Sequence, residues 1–118
     1  MKQVLTENFT AEAAIAPHRI CKPGSADGTV VQAAAAANLA IGVSDSLGAD
    51  AAGDRVDIHT IGVVEVELGG AVARGAQITA DANGKGVTAA AGNRTAGISR
   101  VSGVAGDIVL MLLAPGTV

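Results

Sequence analysis

Between Ala52 and Leu68 the sequence reads AGDRVDIHTIGVVEVEL, and its period is two. Val56 and Ile58 alternate with Arg55, Asp57 and His59; past Ile61-Gly62, Val64, Val66 and Leu68 alternate with Glu65 and Glu67. Alternation with β-branched residues requires a strand with one face in a core and the other in water. The phrase recurs. Ala105-Gly106-Asp107-Ile108-Val109 repeats Ala52-Gly53-Asp54-Arg55-Val56, and a Gly-centred phrase precedes each copy, Ala40-Ile41-Gly42-Val43-Ser44 and Ala96-Gly97-Ile98-Ser99. The chain therefore reads as two related β-units.

At 118 residues it is one domain by size. The division is an N-terminal arm over residues 1–16 and a single β domain over 17–118. Hydrophobic residues make up 49% of the chain but aromatic ones only 1%, a single Phe. The core must then be built of Val, Ile, Leu and Ala, and an Ala methyl contributes only about 0.8 kcal/mol on burial. So thin a core predicts that another chain covers part of the apolar surface. A net charge of −3, with no basic patch and no aromatic platform, disfavours nucleic-acid binding. The lone Cys21 rules out an internal disulfide framework and fits a reducing compartment. MKQVLTENFT lacks the apolar stretch of a signal peptide, and Ile108–Ala114 is too short to span a bilayer, so a soluble protein made in the cytoplasm is expected.

In the arm, Thr10–Ile15 could cap and start a helical turn, but Pro17 stops it, and an extended segment anchored by Phe9 is the better reading. Strands are expected at His18–Lys22, Thr29–Gln32 and Leu39–Ser44, with Ala33–Ala37 as a link too short for a helix. After the long alternating stretch, Arg74-Gly75, Asn83-Gly84 and Gly92-Asn93 mark turns, and Ala114–Val118 reads as a tail. Turns at this rhythm predict a mainly β fold, a small compact barrel or sandwich of two related units with Gly-Asp turns. Ile108–Leu113 is apolar at every position, so both its faces must be dry, in a barrel centre or a subunit contact.

Nothing in the chain spells an active site. His18 and Cys21 fall on opposite faces of a strand, and zinc would need His59 to converge on both. Asp57 and His59 share a face but have no nucleophile elbow near them. Asp81–Gly86 imitates a calcium loop and fails at Lys85 and Gly92. Asp45, Asp50 and Asp54 are explained by turn chemistry. No catalytic, cofactor or metal residue is assigned. Lys85 on its hairpin supports one alternative function, a small β carrier or adaptor domain with a modified lysine, although the Gly84 and Gly86 neighbours differ from those of lipoyl and biotinyl carriers.

The Ala- and Gly-rich composition and the paired phrases at 40–43, 52–56, 62–66, 96–98 and 105–109 resemble the head-decoration, or capsid cement, proteins of tailed bacteriophages. The resemblance implies a mainly β homotrimer on the outer surface of the virion. It would cap threefold or quasi-threefold points and clamp major capsid subunits, without catalysis, membrane or nucleic acid. It implies that the N-terminal segment meets the shell, which maps onto residues 1–16 with Phe9, Leu5 and Val4 as the contacts. The doubly apolar strand would supply the subunit interface through Val109, Met111 and Leu113.

Overall fold

A computed structural model describes residues 4–118 of the chain. Nine strands form in order: β1 (Val4–Ala11), β2 (Ile20–Pro23), β3 (Thr29–Gln32), β4 (Gly42–Ser44), β5 (Arg55–Glu67), β6 (Gln77–Ala80), β7 (Gly86–Thr88), β8 (Arg94–Ser99) and β9 (Ile108–Thr117). No helix forms among the described residues. The strands join one sheet in the order β1-β3-β2-β4-β5-β9-β8-β6-β7, and β1 also pairs with β5. The fold is mainly β, as the alternation and the turn spacing require.

The extra β1–β5 pairing closes β1, β3, β2, β4 and the first half of β5 into a circuit. A parallel bridge between Leu68 and Gly86 closes the second half of β5 with β9, β8, β6 and β7 in the same way. The two circuits match residue by residue. Phe9 faces Val56 in the first, as Val66 faces Val109 in the second. Ala11 pairs in parallel with Val30, as Leu68 does with Gly86. Ile20 faces Val43, as Gln77 faces Ile98. The bridge Ile15–Ala49 answers Val72–Gly103. The repeated phrases of the sequence thus mark a duplicated unit, and β5 is at once the last strand of the first copy and the opening strand of the second.

Gly42 and Gly97 occupy equivalent places in β4 and β8. A Cβ on Gly42 would collide with the His59 carbonyl oxygen, and one on Gly97 with that of Leu112. Only glycine lets these short strands lie so close to β5 and β9. Gly62, with φ of 115°, stands where β5 changes partners: Gly62 faces Val4 of β1, and Val63 faces Leu112 of β9.

Two apolar clusters fill the circuits. Ala11, Ile15, Cys21, Val30, Ala49, Val56 and Ile58 fill the first, with Phe9 and Ile41 packed against them. The second holds Val64, Val66, Leu68, Val72, Ile78, Ala80, Ala96, Val109 and Met111, and it also takes in Ile20, Ala33, Ala40 and Val43 from the first unit. Six alanines, Ala11, Ala33, Ala40, Ala49, Ala80 and Ala96, stand among the buried residues, so the interior is as thin as the composition predicts.

The stretch read as an arm supplies β1 and also Ile15, both of them wall and filling of the first unit. The expected tail is instead the end of β9: Gly116 and Thr117 pair with Thr95 and Arg94 of β8. Cys21 is fully buried, and burial pushes its thiol up to about 12. The free thiol is therefore expected to stay unreactive towards a disulfide reagent at pH 8 until the protein unfolds, so labelling should track the denaturation curve. Labelling at the rate of a free thiol under native conditions would contradict this placement.

Candidate assembly surfaces

β9 sorts the apolar residues of Ile108–Leu113 onto two faces. Val109 and Met111 point into the chain's own core, and Leu113 packs against it half-buried. Ile108, Leu110 and Leu112 face outward at 49%, 37% and 38% exposure. The face of β9 open to another chain is thus of opposite parity to Val109, Met111 and Leu113. Next to it, Leu112 lies across from Val63 on β5 and from Ile98 on β8, both half-buried. Further along β5, Ile61 is 61% exposed and faces Leu5 of β1. Leu5 and its neighbour Val4 are themselves exposed, whereas Phe9 turns to the first core. Burying such a face in water-free contact is worth about 25 cal/mol per Å².

The polar residues with chemical potential are occupied in holding strands and turns. Asp57 Oδ1 accepts from Asn8 Nδ2 at 2.9 Å, and His59 Nδ1 lies 2.9 Å from Thr6 Oγ1, so each ties β5 to β1. Asp45 Oδ1 accepts from Leu47 N and Gly48 N, and Asp54 Oδ2 from Ala51 N. Asp81 Oδ1 accepts from Asn83 N and Lys85 N, which shapes the hairpin. The Glu12 carboxylate takes hydrogen bonds from Ser25 N, Ser25 Oγ and Thr29 Oγ1, which hold its pKa below the usual 4.5. Cys21 is buried in the first core and does not join His18 and His59, and no group of three or more side chains able to hold a metal ion forms among the described residues. A cleft of about 310 Å³ does collect His18, Asp45, His59 and Glu65 over Val4, Val63 and Val64.

Lys85 stands on no free tip. Its Nζ is 3.2 Å from Glu67 Oε2, and Arg19 reaches Glu67 Oε1 at 3.5 Å. The hairpin is pinned to the first unit, since Ile20 N donates to Gly84 O at 2.8 Å while Arg19 Nη1 and Gln32 Nε2 donate to Asn83 O. A half-buried, ion-paired lysine is poorly placed for a modifying enzyme. The roles of Arg19, Ile20 and Gln32 carry no sign in the sequence, because this contact joins segments far apart in the chain.

These features define a class: a duplicated all-β module, tightly tied within itself, with apolar strand faces turned outward. Over residues 1–111 the chain matches the phage cement proteins, and it belongs to that family, a structural component of the phage capsid. No curated protein matches its sequence. Among solved structures it is similar to the N base of the head fiber gp8.5 of bacteriophage phi29, with a TM-score of 0.75, 16% identity and 98% of each chain covered. That likeness extends the fold, both units included, to a second phage protein.

Proposed function

We propose that the protein cements the outer surface of a phage head, assembled as a homotrimer at threefold or quasi-threefold positions across major capsid subunits. The outward row Ile108, Leu110 and Leu112 carries the reading, since a strand that is apolar on both faces has no reason to be so in a solitary monomer. This row, rather than the inward Val109 and Met111, forms the contact between copies. Around a closed ring such contacts are heterologous and repeat about one axis. Val4 and Leu5, beside Ile61, meet the shell. By binding the assembled lattice and not free capsid subunits, the trimer stabilises the head by mass action.

The test is Leu110→Asp with Leu112→Asp. Both side chains are exposed, so the variant keeps its fold by circular dichroism while losing trimer mass in light scattering and protection of undecorated heads against heat. A variant that still forms trimers and protects heads like the unaltered protein would rule out this face.

A further inference from the structure

The two units share the pairings that define each circuit but differ in what covers them. In the second unit, the segment His18–Ile20 of the first lies between β5 and the Asp81–Lys85 turn. Glu67 N donates to His18 O at 3.0 Å, Ile20 N to Gly84 O at 2.8 Å, and Arg19 spans to Asn83 O and Glu67. Ile20 enters the second core, and the positions beneath, Val64, Val66 and Ala96, are all but fully buried.

In the first unit the equivalent positions are Glu7, Phe9 and Ile41, and no segment of the described chain covers them. Glu7 is exposed, and Phe9 and Ile41 are half-buried. Unit one zips one step further, Thr10 N donating to Gly28 O at 2.9 Å. A slot of about 440 Å³ remains between β1 and the Pro23–Gly28 loop, floored by Phe9, Ile41 and Thr60. Its lining includes the carboxylates of Glu7 and Asp27 and no Lys or Arg.

We infer that this slot takes an extended segment of the capsid shell in which a basic residue stands beside a branched aliphatic one. The internal joint is the template: there the inserted strand brings Arg19 and Ile20, a cation for the rim and an aliphatic side chain for the core. The acidic rim of the open slot complements the same pair. A strand laid here would also extend the ladder along β1, whose edge beside this loop is paired only from Thr10 onward. A second copy is a poor occupant. Its corresponding face carries Ala76 and Gln77 where the template has Arg19 and Ile20, so it offers neither the charge nor the apolar side chain.

The identity of the partner rests on the capsid reading, and the experiment separates the two. Heads lacking the protein are titrated with the full chain, with Ala26→Trp, which fills the slot from an exposed loop position, and with Glu7→Lys, which reverses its rim. Both variants should melt as the unaltered protein does and bind heads at least about tenfold more weakly, the usual effect of losing one central anchor. With p-benzoylphenylalanine in place of Phe9, light should join the protein to the shell subunit. Failure of the unaltered protein to bind heads would reject the capsid reading itself. Normal binding of both variants, or a cross-link to a second copy, would overturn the slot while leaving that reading intact.

Discussion

Gly97→Val should be the most destabilised single substitution in the chain, with its urea midpoint sharply lowered. Any Cβ at this position lies inside contact distance of the Leu112 carbonyl and 2.9 Å from Met111 Cγ, and neither can retreat, because Leu112 is a rung of two ladders and Met111 is fully buried. Overpacking typically costs about 1–3 kcal/mol and occasionally more, and a clash against backbone falls at the upper end of that range, a large share of the roughly 5–15 kcal/mol that holds a domain folded. Gly97→Ala should already lower the urea midpoint steeply, and Gly42→Ala, its counterpart against His59, should do the same. Gly70→Ala is the control: its Cβ would meet Val87 Cγ1 at an ordinary 3.6 Å, so its stability should change by less than about 1 kcal/mol. A Gly97→Ala protein as stable as the control would mean that β8 does not cross β9 as closely as described.

Ile20→Ala has the second largest expected effect, and its counterpart makes the comparison sharp. Ile20 and Gln77 hold the same place in the two units, yet Ile20 is 1% exposed inside the other unit's core and Gln77 is on the surface. Truncating Ile20 should cost about 2–5 kcal/mol, whereas Gln77→Ala should stay within about 0.5 kcal/mol. Because Ile20 joins the units, its loss should also weaken their coupling. Denaturation followed by separate probes in each unit should then no longer coincide. Coincident curves with an unchanged slope would show that β5 alone makes the units cooperative.

The elements that could be read from the sequence are those where the pattern is local. The alternation over Arg55–Glu67 announced β5, and the recurring Ala-Gly-Asp phrases announced the duplication, because each copy turns through the same bend before the same strand. The contacts that organise the surface were not legible in the same way. Ile108–Leu113 has no alternation, so no periodicity tells which of its residues face inward; Val109 and Met111 are settled only by their registry with Val66 and Val64. Pro115-Gly116 looks like the start of a tail, but the edge of β8 offers Arg94 and Thr95 as partners and β9 continues. Phe9 packs on the first core while Leu5 and Val4 are exposed, although strict alternation would put Phe9 and Leu5 on one face; the register shift between Leu5 and Thr6 breaks that alternation, and nothing in the sequence marks it. The joint of His18–Ile20 with the Asn83-Gly84 turn links positions more than sixty residues apart along the chain, and only three-dimensional proximity reveals it.

β5 runs through both units without a break, and the ladders on either side of Gly62 are antiparallel and lie lengthwise along it. A tensile load drawn along this strand would strain many rungs at once in shear rather than unpeel them singly. The module is thus built like a lap joint, stiff along one axis and compliant across it.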